Sequence, residues 1–222
     1  MAAARTLRLA HRGDHRGAPE NSIAALLAAM DVPGCDGVEF DVRASADDVP
    51  VLVHDETLAR VQGRPEAVGE LTAEALDGLG VARLDAALAA LPRRAFLDVE
   101  LKEVFGRGLI EILAAGRGPD LQNAVVSAFD PAIIGRLHDL VPGWPCWLNV
   151  HQLTGATIRQ ATELGCVAIA AEVGAITARA FQAADAAGLE VVAWTVTRRR
   201  TYRRLTELGA SAICVEGEAL TG

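Results

Sequence analysis

Aromatic residues make up only 4% of this 222-residue chain, so alanine, valine and leucine must fill its core. It has no run of about 20 apolar residues of the kind that spans a bilayer as a helix. The opening Met1-Ala2-Ala3-Ala4-Arg5 lacks the apolar centre of a secretion signal. Cysteine is sparse: Cys35, Cys146, Cys166 and Cys214 are scattered, with no C-x-x-C pair. That spacing suits neither a zinc site nor a compact disulfide framework, and free thiols in a cytoplasmic protein are expected. Basic residues are outnumbered, giving a net charge of −8. This argues against a nucleic-acid partner, which needs a cationic face.

What is present is apolar and regular. Hydrophobic residues form 51% of the chain and charged ones 23%, the balance of a packed globular protein. Short apolar runs alternate with Ala/Leu-rich helical stretches almost throughout. Strands are predicted at Leu7–Ala10, Gly37–Val42, Val49–His54, Ala95–Leu101, Ala124–Ser127, Trp147–Val150, Val167–Ala171, Val191–Val196 and Ala212–Val215. Helical patterns fall between them, with stops expected at Gly116, Gly165, Gly188 and Gly209. Repeated strand–helix units imply an α/β fold with a parallel sheet, and the number of units fits a small (β/α)₈ TIM barrel forming one domain over residues 1–222.

One connection breaks the pattern. Only Ala44 to Asp48 separate the second strand from the third, too few residues for a parallel crossover. The third strand should therefore be an extra antiparallel hairpin strand. A turn centred between Ala46 and Asp47 would set Glu39 opposite His54.

Ionisable residues collect on these strands, where a purely structural core would avoid them. His11-Arg12-Gly13 follows the first strand, Glu39 and Asp41 share one face of the second, His54 ends the third, and Glu100 and Lys102 share a face of the fourth. Glu39, Asp41 and Glu100 would need a cation to remain ionised together, and a hard divalent ion such as Mg²⁺ or Ca²⁺ prefers such oxygen donors. With Arg12 and Lys102 the group would carry one excess positive charge, which a phosphodiester monoanion would neutralise. His11 and His54 could share proton transfer, since imidazole titrates near neutrality. A second copy of the first motif, His15-Arg16-Gly17, falls in the following loop.

The order of these motifs resembles the glycerophosphodiester phosphodiesterase family. His11-Arg12-Gly13 with Pro19-Glu20-Asn21-Ser22 is similar to its opening motif. Asp36–Val42, Pro50–Leu58, Val99–Lys102, Ser127–Asp130 and Ala193–Val196 resemble the later ones in register. The resemblance implies metal-dependent hydrolysis of a small glycerophosphodiester to an alcohol and glycerol 3-phosphate. Glu39, Asp41 and Glu100 would bind the metal and Arg12 and Lys102 the phosphate. His11 and His54 would act as general base and general acid, in an order that could be reversed. Trp194 would flank the glycerol or the leaving alcohol. The same residues are compatible with lysophospholipase D-like action, with cyclisation by a substrate hydroxyl, or with a non-catalytic phosphate-binding barrel. The chain departs from the family pattern at Asp48, where a turn glycine is usual, in Ala59-Arg60-Val61-Gln62, at Thr197, and in the ending Ile213-Cys214-Val215-Glu216-Gly217, which lacks the typical Thr-Asp pair.

Overall fold

The structure is a computed structural model and describes residues 5–221. Nine strands form among the described residues: β1 (Leu7–His11), β2 (Gly37–Ala44), β3 (Pro50–Leu52), β4 (Phe96–Leu101), β5 (Ala124–Ala128), β6 (Cys146–Val150), β7 (Ala168–Glu172), β8 (Glu190–Val196) and β9 (Ala212–Val215). All but β3 pair in parallel, and β1 joins both β9 and β2, so eight strands close into a barrel. The ninth, β3, is antiparallel to β2. This is the TIM barrel with an added hairpin strand that the strand count predicts.

Alternation along the strands builds two separate cores. Val38, Phe40 and Val42 of β2 and Leu97, Val99 and Leu101 of β4 point outward and pack under the helices. There they join α1 (Ile23–Met30), α3 (Leu84–Ala90), α4 (Arg107–Arg117) and α5 (Pro131–Leu140) through Leu26, Leu84, Leu113 and Ile134, all fully buried. Each such side chain contributes about 1.5–3 kcal/mol of transfer free energy. A smaller cluster fills the barrel interior, from Leu9, Val125, Trp147, Ala168, Ala170, Val192 and Cys214. A third, with Val51, Leu58, Val68 and Leu76, sits under the segment that follows β3.

The helix starts follow their capping residues. Ser22 accepts a hydrogen bond from the Ala25 amide, Thr72 from Ala75 at α2 (Ala73–Asp77), and Asp130 from Ala132 ahead of Pro131. Four further helices complete the ring and the C-terminal end: α6 (Gly155–Glu163), α7 (Ala178–Ala186), α8 (Arg199–Leu208) and α9 (Gly217–Thr221). Among the described residues no helix is long and apolar enough to cross a membrane.

Three local expectations need correction. The hairpin register is one residue away from that predicted: Val42 faces Leu52 and Ala44 faces Pro50, so Glu39 is not opposite His54. The cause is Asp48, whose φ of +59° makes it the left-handed residue closing a three-residue loop, Ala46–Asp48. The strand also stops at Leu52, two residues short of His54. Finally, α4 does not stop at Gly116 but continues to Arg117. Gly116 lies against Leu88, whose Cδ1 would be 2.9 Å from an added Cβ, so this glycine permits close helix packing and the stop falls at Gly118.

Candidate active site

The inward-facing positions become polar towards the C-terminal ends of the strands, the end at which TIM barrels carry their chemistry. Glu39 and Asp41 of β2 lie in register with Asp98 and Glu100 of β4. One oxygen from each of Glu39, Asp41 and Glu100 lies within 4.8 Å of the others. His11, Arg12, Glu39, Arg43, His54, Asp98, Glu100, Lys102, Phe129, Asn149, His151 and Trp194 line one cavity of about 390 Å³. All eight residues selected from the sequence therefore meet in one place: Asp41 is fully buried beside Arg12 and Lys102, and the other seven line the cavity.

The acidic cluster is only partly compensated by the protein's own cations. Lys102 Nζ lies 2.7 Å from Asp41 Oδ1 and also pairs with Glu100. Arg12 Nε is 3.1 Å from Asp41 Oδ2. Burial pushes the Asp41 pKa up, but Lys102 and Arg12 outweigh it and hold the group below its usual range. Glu39 moves the other way: burial, then repulsion from Asp41 and Glu100, carries its pKa well above normal. Its Oε1 is buried with no hydrogen-bond partner among the described residues. Asp98, paired with Glu39 across the β2–β4 ladder, is pushed up to about 7 by burial. An all-oxygen donor set with an uncompensated carboxylate fits a hard divalent ion.

Chain turns set the positive groups. Arg12 (φ +57°) and Gly13 (φ +82°) reverse the backbone after β1. A Cβ on Gly13 would lie 2.5 Å from the backbone carbon of Ala25, so only glycine lets the turn pass the end of α1. The Arg12 amide donates to Glu39 Oε2 at 3.0 Å, and its Nη1 donates to Glu20 Oε1 at 2.8 Å. Asn21, also left-handed with φ +57°, donates to Asp41 Oδ2 at 2.8 Å.

Each histidine is held by a carboxylate. His11 Nδ1 lies 2.5 Å from Glu216 Oε1, and its Nε2 lies 3.8 Å from Glu39 Oε2. His54 Nδ1 lies 2.6 Å from Asp55 Oδ1. A carboxylate can only accept, so in both rings Nδ1–H is the donor and Nε2 remains for the substrate. His54 reaches the cavity although β3 has ended, because Arg43 Nε donates to its carbonyl oxygen at 2.9 Å. Across the mouth, Trp194 donates Nε1–H to the Ala170 carbonyl and meets Phe129 edge-on at 5.3 Å and His151 at 5.5 Å. The second His-Arg-Gly copy stays peripheral: Arg16 pairs with Asp14, and His15 Nε2 stands 3.9 Å from Glu216.

Sequence reasoning missed several groups of this cavity. Asp98 carried a usable signal, since it precedes Glu100 by two residues just as Glu39 precedes Asp41. Asn149, which donates to Glu100 Oε2 at 3.1 Å, is a single polar residue inside an apolar strand. Glu216 stands in the ending that departs from the family pattern, but nothing local marks it as the partner of His11, 205 positions away.

Known proteins resemble this chain in sequence and in fold. A 43% identical stretch of 75 residues is shared with the glycerophosphodiester phosphodiesterase of Caldanaerobacter subterraneus, covering 34% of this chain and 30% of that protein. The chain thus spans under a third of that relative's length. A glycerophosphodiester phosphodiesterase structure from Agrobacterium tumefaciens superimposes with a TM-score of 0.80 at 26% identity, over 97% of this chain and 98% of that one. An Oleispira antarctica phosphodiesterase, solved in complex with the product sn-glycerol-3-phosphate, gives 0.80 at 22% identity over 98% and 95%. The model of the glycerophosphoryl diester phosphodiesterase family matches residues 11–107 and 96–217, and the chain belongs to that family.

Proposed function

We propose that this protein is a metal-dependent glycerophosphodiester phosphodiesterase, releasing an alcohol and glycerol 3-phosphate. The observation that carries the reading is the pairing of two carboxylate-held imidazoles, His11 and His54, with a three-carboxylate cluster in one cavity. A phosphate-binding barrel without turnover would need no such pair of proton carriers. The Oleispira antarctica phosphodiesterase, captured with sn-glycerol-3-phosphate, supports glycerol phosphate as one half of the substrate.

Glu39, Asp41 and Glu100 would hold the divalent ion, Mg²⁺ or Ca²⁺. Once bound, the ion would polarise the phosphoryl oxygens and offset the clustered negative charge. Arg12 and Lys102 position the phosphate monoanion, their guanidinium and ammonium remaining charged beside Asp41. His11 Nε2 accepts a proton from the attacking water as its oxygen forms the new P–O bond of glycerol 3-phosphate, and the imidazolium that forms is stabilised by Glu216. His54 starts as the imidazolium, stabilised by Asp55, and gives its proton to the leaving alkoxide oxygen as the P–O bond breaks. His11 ends protonated and His54 neutral, and exchange with solvent restores both. Trp194 and Phe129 form the apolar wall against the carbon skeleton of the substrate.

A panel of glycerophosphodiesters assayed with Mg²⁺, with Ca²⁺ and with chelator tests the reading, free alcohol and glycerol phosphate being measured separately. Both products are expected with metal and neither with chelator. Turnover unaffected by chelator would remove the metal, and phosphate-ester binding without turnover would make the barrel a binding module.

A further inference from the structure

Arg60 lies in the segment after β3, outside every strand and helix, and its side chain is 47% exposed. Yet its guanidinium makes three hydrogen bonds to two different carboxylates. Nε donates to Asp55 Oδ2 at 2.6 Å, while Nη1 and Nη2 donate to the two oxygens of Glu20, each at 2.7 Å. Both acceptors also hold a second partner, Asp55 through its other oxygen and Glu20 through the oxygen it shares with Arg60 Nη2. Asp55 Oδ1 holds His54 Nδ1 at 2.6 Å, and Glu20 Oε1 takes Arg12 Nη1 at 2.8 Å. One continuous chain of charge-assisted bonds therefore runs His54–Asp55–Arg60–Glu20–Arg12, linking two loops that are 40 residues apart at Arg60 and Glu20.

The physical content of this chain is positional. Asp55 alone could swing about its own side-chain bonds and carry the His54 ring with it. Glu20 could likewise follow Arg12. A planar guanidinium with donors in a fixed fork removes those freedoms, because Nε and the two Nη atoms cannot turn independently. Stability does not account for the arrangement: a half-exposed pair contributes only about 0–1 kcal/mol to folding. The geometry points to Arg60 as a positioning residue that fixes the proton donor His54 and the phosphate ligand Arg12 relative to one another. This inference rests on the proposed roles of those two residues.

The leaving group reports on it selectively. An alkoxide needs a well-placed proton donor, whereas p-nitrophenolate departs without one. Glycerol 3-phosphate esters of a simple aliphatic alcohol and of p-nitrophenol are therefore compared in the metal-loaded full chain, for wild type, Arg60→Ala, Arg60→Lys and His54→Ala, with thermal midpoints taken in parallel. Misplacement of a reacting group costs on the order of 10²-fold. Arg60→Ala is expected to lower kcat on the aliphatic ester by about that factor and on the nitrophenyl ester less than about threefold, while KM rises for both and the midpoint barely moves. Arg60→Lys keeps the charge but cannot bridge Asp55 and Glu20, and should not restore kcat. An equal loss on both esters, or full rescue by lysine, would overturn the inference while leaving the proposed function standing. If His54→Ala itself lost both esters equally, the acid role of His54 would fail and the positioning role with it.

Discussion

Glu216 accepts a hydrogen bond from His11 Nδ1 at 2.5 Å although 205 positions separate the two residues. The contact exists because β9 closes the barrel against β1, bringing the residue after the last strand beside the residue that ends the first. The bond also draws the Glu216 carboxyl below its usual pKa, and burial opposes this only in part.

Replacing Glu216 by Gln keeps the size of the side chain but removes its obligate acceptor character. The amide can donate to Nδ1 and move the ring proton to Nε2, leaving no base facing the substrate. A wrong tautomer of this kind costs about 10⁴-fold in a serine protease. We expect kcat to fall by about 10²–10⁴-fold with the thermal midpoint little changed, measured by steady-state kinetics and differential scanning. A loss under about threefold would show that His11 does not depend on this partner.

Glu100→Gln should weaken divalent-ion binding, and excess ion should restore turnover. Direct titration of the metal-free protein by calorimetry reads the affinity. An unchanged dissociation constant would take Glu100 out of the ligand set.

The metal-free protein should lose stability as pH rises. Burial lifts Asp98 from 3.8 to about 7 in the folded state, so the fold retains a proton that the unfolded chain has released. The corresponding stability is complete below pH 4 and is lost as pH climbs through about 7. Glu39 shifts in the same direction. Urea unfolding in chelator at pH 5 and pH 8 should show the wild type weaker at pH 8, and Asp98→Asn should reduce that difference. An identical pH difference in the variant would contradict the assignment.

Gly13→Ala should be strongly destabilising. It places a Cβ at φ +82° and within 2.6 Å of the backbone carbonyl of Ala25, adding backbone strain to a clash that no rotamer relieves. A cost of about 2 kcal/mol or more is expected from denaturant midpoints; a midpoint equal to wild type would mean that the turn can relocate freely.

Much of this was legible in the order of residues. The alternation of Val38, Phe40 and Val42 with Glu39 and Asp41 already separates a helix-covered face from a polar one, because strand side chains change face at every residue. The hairpin after β2 follows from chain length alone. Its register does not: a two-residue and a three-residue turn fit the same letters, and the left-handed Asp48 selects the latter. Gly116 was misread because a helix-stopping glycine and a helix-packing glycine differ only in whether Leu88 stands beside them.

By itself, then, the sequence determined the eight-unit barrel, the extra strand and the carboxylates and histidines that gather at its mouth, since local periodicity and strand ends are properties of short segments. Tertiary structure alone decided which acid holds which imidazole, how Arg60 bridges Glu20 and Asp55, and which carboxylate remains uncompensated. Those outcomes depend on distances between side chains remote in sequence, and on the burial that closure of the barrel imposes on them.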